Sequence, residues 1–216
     1  MTISQNDLED DLKNEQFGEN GKDFLARLKE LVFTWKVEEV GDPVEAEIIM
    51  GFSLGYVLDK NGNRLPGQIN QQLADRIVQY CNEKPRRVYV QWEIADAIGD
   101  RLPDVISIGP DIDEEKGEVK YLSTKDVLRK IKERIEKSND DSIGPILVVA
   151  HSKHLFRCTK LIREQGFSIR TNQANMPTGF DSDSAQPWTR NLRAYIINEI
   201  ISRLALFRDQ ELDAQQ

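Results

Sequence analysis

Short apolar runs alternate with longer amphipathic stretches along the whole chain, and this alternation sets the narrowest limit on how it folds. "AEIIMGF" (46–52), "RRVYVQW" (86–92), "DVISI" (104–108), "GPILVVA" (144–150) and "FSIRT" (167–171) have the length and content of buried strands. Between them, Ile69, Leu73, Ile77 and Tyr80 mark a helix ending near "NEKP", and "EIADAIGD" a shorter one. Val127, Leu128, Ile131 and Ile135 form one stripe on "LSTKDVLRKIKERIEK", with Ser123 and Thr124 as candidate N-caps. A further helix runs from about Lys153 to Gln165 and stops at Gly166. Strands separated by helices are joined by crossovers and run parallel. The expected fold class is therefore α/β, a three-layer sandwich with a Rossmann-like, mostly parallel sheet and helices on both faces. Phe24, Leu25, Leu28, Leu31, Val32 and Trp35 add an extra N-terminal helix, and "TRNLRAYIINEIISRLALF" adds a final amphipathic one. "SLGYVLDKNGNRLPG", the acidic "GPDIDEEKGEV" and "NQANMPTGFDSDSAQPW" are expected as loops.

A chain of 216 residues is long enough for a single α/β domain, expected over 21–216, behind a flexible acidic segment at 1–20. The net charge of -8 argues against nucleic-acid binding, because phosphate backbones reward a surplus of Lys and Arg. Cys81 and Cys158 both fall in helical segments and point to reduced thiols. The polar start "MTISQNDLEDDLKNEQ" is unlike a signal peptide, and no stretch approaches the ~20 apolar residues of a membrane span. These features lead us to expect a soluble, cytoplasmic protein; its oligomeric state is left open.

The chain's two histidines stand three positions apart in "VVAHSKHLFRC" (148–158), just after the strongest strand signal. Such a strand-to-helix corner admits three readings. As an anion site, unpaired backbone N–H groups near Ser152 would face a phosphate or carboxylate, with Arg157 as a forked donor and His154 as a proton carrier. As a metal-dependent hydrolase, His151, His154 and a carboxylate such as Glu93 or Asp96 would hold the ion. As plain structure, Ser152 caps the helix and His154 and Arg157 bond their neighbours. We favour the anion site and expect no metal, with His154 facing the site and His151 on its rim.

The stretch "ILVVAHSKHLFRCTKLIREQGFSI" resembles the core signature of the YdcF/SanA/ElyC-like "domain of unknown function" family. In that family a hydrophobic strand, a small turn and a helix carrying His-x-x-Arg lead to a glycine and another strand; His154 and Arg157 take those places here. The first strand running into Gly51, the helix with Leu73 and Arg76, and "WTRNLRAYIINE" with Asn191 and Glu199 extend the resemblance over roughly 45–205. The chain departs from the pattern at "MGFSLGY" and at Gln91, Trp92 and Glu93, both at strand ends. The resemblance implies the same fold and, more weakly, S-adenosylmethionine as a cofactor.

Other strand-end residues complete the candidate site. Gly51 would allow close backbone approach and Ser53 a hydroxyl, although "GFSLGY" matches neither a dinucleotide nor a P-loop motif. Glu93 and Asp96 share a helical face as a candidate acid–base pair. Trp188, Arg190 and Asn191 open the last helix, either as a lid or as an ordinary helix start. The expected ligand is a small anionic or nucleotide-like molecule bound by Gly51, Ser53, Glu93, Ser123, Thr124, Ser152, His154, Arg157 and Asn191. A non-catalytic partner-binding module is the remaining alternative.

Overall fold

A computed structural model describes residues 18–113, 118–137 and 143–213. The chain divides into two compact units, one built from residues up to 35 and from 198 onward, the other from residues 36–197. Within the first, helix α1 (Gly18–Phe33) carries Phe24, whose ring meets that of Phe207 edge-on at 5.1 Å. Arg203 is fully buried: its Nε donates to Glu199 Oε1 at 3.0 Å and its Nη1 to the carbonyls of Leu31 and Thr34. The Trp35 ring lies 4.3 Å from the same guanidinium. Glu199 thus holds a buried ion pair that ties a helix to the chain leaving α1.

The second unit is built on five strands, β1 (Ile48–Phe52), β4 (Arg87–Gln91), β5 (Val105–Ile108), β8 (Ile146–Ala150) and β9 (Ile169–Arg170). They form one sheet in the order β5-β4-β1-β8-β9, every pair parallel. Helices α2 (Gln68–Glu83) and α3 (Trp92–Ile98) pack together on one face; α4 (Thr124–Lys137) and α5 (Leu155–Glu164) pack on the other. The fold is the α/β three-layer arrangement that the alternating pattern implies. β1 and β8 are buried along their entire length, as central strands covered by helices must be. Cys81 and Cys158 are buried thiols in α2 and α5. Among the described residues, no helix is long and apolar enough to cross a membrane.

Two expected loops contain paired strands. β2 (Val57–Leu58) and β3 (Arg64–Leu65) form a small hairpin, in whose turn Asp59 accepts the N–H groups of Asn61 and Asn63. β6 (Asp111–Asp113) pairs with β7 (Glu118–Lys120) within the acidic stretch, where Lys130 neutralises Asp111 and also donates to the Gly109 carbonyl. The first 17 residues of the expected flexible segment lie outside the described ones. The final helix, α6 (Leu192–Asp213), starts later than expected, because the Asn191 side chain accepts the Ala194 N–H and fixes the cap there.

Gly51 serves the packing of this sandwich. A Cβ at that position would stand 2.6 Å from Val90 Cγ1 and 3.2 and 3.3 Å from the Cδ1 atoms of Ile77 and Ile94. The missing side chain lets α2 and α3 lie close to the sheet, a packing duty that accounts for the glycine without a ligand. We expect Gly51→Ala to lower stability by about 1–3 kcal/mol through overpacking, read as a reduced urea midpoint with an unchanged far-ultraviolet spectrum. An unchanged midpoint would contradict this role.

Candidate functional site

Strand order reverses direction between β1 and β8, and a crevice opens at such a switch point beyond the carboxyl ends of the strands. The register sets Phe52 beside Ala150 and Gly51 beside Val90, so the segments beginning at Ser53, Trp92 and His151 leave the sheet together. Thr171 does not join them. It lies beyond Arg170, which pairs with Leu147, and so stands about two residues short of the Ala150 edge. Its hydroxyl donates to the Glu38 carbonyl and accepts the Val40 N–H, which draws it into an antiparallel bridge with Val40.

The corner after β8 is closed by its own hydrogen bonds. Ser152 N–H donates to the Pro177 carbonyl at 2.9 Å, and Lys153 N–H to His151 Nδ1 at 3.2 Å. The N–H groups of His154 and Leu155 both donate to the His151 carbonyl. The unpaired backbone donors expected for an anion are therefore already satisfied. α5 begins at Leu155 rather than Lys153, and Ser152 is not its cap. His151 Nε2 donates to the Gly179 carbonyl at 2.9 Å, and its ring packs against Phe180 and Tyr195. The imidazole is fully buried, not on a rim, and both its nitrogens are engaged in a neutral tautomer. Burial depresses its pKa from 6.5 to about 4, its Gly179 bond opposes the fall, and the proximity of His154 and Lys153 adds to it.

His154, Arg157 and Thr124 do come together. Arg157 Nη1 donates to Thr124 Oγ1 at 2.6 Å, and its Nη2 lies 3.3 Å from His154 Nδ1. A guanidinium only donates, so Nδ1 accepts, and a neutral ring carries its proton on Nε2, 3.4 Å from Thr124 Oγ1. His154 also meets the Phe52 ring at 6.5 Å, which sets the triad over the end of β1. Arg157 is half-buried while Thr124 and His154 are buried. Thr124 is the first residue of α4, so the triad stands at the N-terminal, partly positive end of that helix.

Glu93, just past β4, is fully buried, and neither carboxyl oxygen has a hydrogen-bond partner among the described residues. Burial raises its pKa from 4.5 to about 7 and Asp96 adds to the rise, while its own backbone N–H, the nearby Ser53 hydroxyl and Arg64 oppose it. Three more buried polar atoms without partners belong to this edge: Trp92 Nε1, the Tyr121 hydroxyl and Ser152 Oγ. Tyr56 stacks on Tyr121 with centroids 5.7 Å apart and lies 6.2 Å from Trp92.

The remaining candidates have structural duties. Ser123 is exposed and exchanges hydrogen bonds with Asp126 as the cap of α4. Asn191 is exposed and caps α6. Asp96 is exposed while Glu93 is buried, so the two do not face one site as an acid–base pair. Trp188 is 42% exposed. The long loop crosses the strand ends, held by Pro177 and Gly179 at the β8 corner, by Ala185 N–H on the Tyr56 carbonyl and by Asp181 on the N–H of Ile69. Sequence reasoning missed Tyr56 and Tyr121, whose signal was an aromatic residue just after a strand or before a helix. It also missed that Gln91 and Asn70 side chains accept the N–H groups of Ser53 and Leu54.

Among the described residues, no three His, Cys, Asp or Glu side chains cluster as metal ligands. A pocket of about 240 Å³ lies apart from the triad, between the end of β5 and the flank of α4, lined by Lys130, Arg134 and Lys137. Comparison with protein-family models, curated proteins and solved structures finds no match.

The two buried ionisable groups give opposite pH dependences. Unfolded His151 takes up a proton near 6.5 and the folded one near 4, so stability present above pH 6.5 is lost as pH falls toward 4. Unfolded Glu93 ionises near 4.5 and the folded one near 7, so stability present below pH 4.5 is lost as pH rises to 7. We expect Glu93→Gln to be more stable than the wild type above pH 7 by about 1–3 kcal/mol, with no gain at pH 4.5. His151→Asn should lose about 2–4 kcal/mol at pH 7 and less at pH 4.5, since it strands the Gly179 carbonyl and the Lys153 N–H. Denaturant titrations at several pH values would read both, and pH-independent differences would contradict the two assignments.

Proposed function

We propose that this chain is a YdcF/SanA/ElyC-like protein that binds a small organic anion, nucleotide-like in size, at the carboxyl edge of its parallel sheet. The observation that carries this reading is the Arg157–His154–Thr124 triad at the start of α4, over the end of β1. A phosphate or carboxylate there would take charge-assisted bonds from the guanidinium and the favourable end of the helix dipole. Arg157 is the anion clamp and Thr124 a hydroxyl donor. His154 is the imidazole that would pass a proton to a bound ligand, since His151 is locked neutral by two hydrogen bonds. That lock also weighs against a His151–His154 metal site, which would need a nitrogen that His151 already uses. S-adenosylmethionine is one candidate ligand, through the family resemblance. The two buried thiols in helices support a cytoplasmic setting.

The test is calorimetry with adenosine monophosphate, S-adenosylmethionine and glucose 6-phosphate. At least one should bind the wild type, and Arg157→Ala should weaken it ten- to a hundredfold. Asn191→Ala, which removes only a helix cap, should leave affinity within about twofold. No binding by any of the three, or binding indifferent to Arg157→Ala, would overturn the reading. Indifference to Arg157→Ala combined with loss in Lys137→Ala would move the anion to the pocket beside α4.

A further inference from the structure

Glu93 is the most exceptional group in the described structure. A carboxyl with no exposed surface and no hydrogen-bond partner on either oxygen is costly in a finished core. It contributes nothing to the packing that an apolar side chain would not provide better. Its neighbours are also unsatisfied: the Trp92 indole N–H beside it in sequence, and the hydroxyl of Tyr121, whose ring stacks on Tyr56, itself against Trp92. Such concentrations of unused donors and acceptors mark places where a ligand completes the bonding.

The chemistry of that ligand follows from the groups around the carboxyl. Both oxygens accept, so the missing partner donates. Burial holds the group up to about 7 while it stands alone, and a bound positive charge is what restores its ionised form. Trp92 adjoins Glu93 in the chain and packs with Tyr56, which stacks on Tyr121, and aromatic faces favour cations. The Arg64 guanidinium already lies 5.3 Å from the Tyr56 ring centroid, on the β2–β3 hairpin. Glu93 follows β4 and His154 follows β8, with only β1 between them, and strands two apart in a sheet lie about 10 Å from one another.

We propose that Glu93 is the subsite for a cationic nitrogen group, and that the ligand is an organic anion carrying an amine about 10 Å from its acidic end. The anionic end rests on the function proposed above; the amine end rests on Glu93 and its aromatic neighbours. Ser53, facing the carboxyl from β1, and Trp92 border the subsite.

Three probes separate the two ends: hexylamine, hexyl phosphate and 6-aminohexyl phosphate, titrated calorimetrically into wild type and into Glu93→Gln. We expect 6-aminohexyl phosphate to bind the wild type at least about tenfold more tightly than hexyl phosphate, a gain of one charge-assisted pair, with the advantage lost in Glu93→Gln. In the wild type, amine-bearing probes should also shift the Trp92 indole resonance while hexyl phosphate does not, a readout that needs no variant. Hexyl phosphate binding with no gain from the amine overturns the Glu93 subsite and leaves the anion site standing. Hexylamine binding through Glu93 with no gain from the phosphate does the reverse. Failure of all three probes overturns both.

Discussion

Parallel strands cannot be joined by tight turns, and everything distinctive in this protein follows from that constraint. Each strand must be followed by a crossover that returns the chain to the same starting end of the sheet. All five strands therefore point to one edge, and the residues that follow β1, β4 and β8 are delivered there. Backbone and side chain have separate tasks at this edge. The strands are apolar and sealed by helices on both faces, while Ser53, Glu93, His151 and His154 stand just beyond them. The reversal of strand order between β1 and β8 parts the crossovers, and the Arg157–His154–Thr124 triad lies over that point.

The two histidines show how position along a short turn decides chemistry. His151 is the last residue before the turn, and its ring faces the long loop, where the Gly179 carbonyl and the Lys153 N–H take up both nitrogens. Its work is to bind residues 177–180 against the strand end. His154, three residues on, opens α5 and turns toward Arg157 and Thr124, which come from different elements. One ring is thereby removed from titration near neutrality and the other is placed among donors.

Much of the fold was legible in the sequence because buried strands and amphipathic helices carry separate periodicities. The triad was legible in part: His154 and Arg157 stand at i and i+3, and Thr124 opens a helix. What the sequence hid was how backbone donors are used. Nothing in "AHSKH" reveals that Pro177 would take the Ser152 N–H, because that bond depends on a loop 25 residues away. Ser123 and Asn191 each satisfy the first turn of their own helix, a duty that neither polarity nor the family resemblance separates from a place in the site. Gly51 was read for its freedom, whereas what fixes it is the contact with Val90, Ile77 and Ile94. Glu93 and the aromatic residues around it came together only in three dimensions, since Tyr56, Trp92 and Tyr121 belong to three separate crossovers.

Glu93 is a fully buried carboxyl without a hydrogen-bond partner among the described residues. Carbon-13 nuclear magnetic resonance of the Glu93 side-chain carboxyl, assigned by its loss in Glu93→Gln, follows that group directly through a pH titration. The midpoint in the ligand-free protein should lie near 7, well above the ordinary 4.5, because burial outweighs the effects of Ser53 and Arg64. Adding 6-aminohexyl phosphate should carry the midpoint back below 5 as the amine pairs with the ionised form. A midpoint near 4.5 in the ligand-free protein would contradict the account, because it would mean that Glu93 is already solvated or paired.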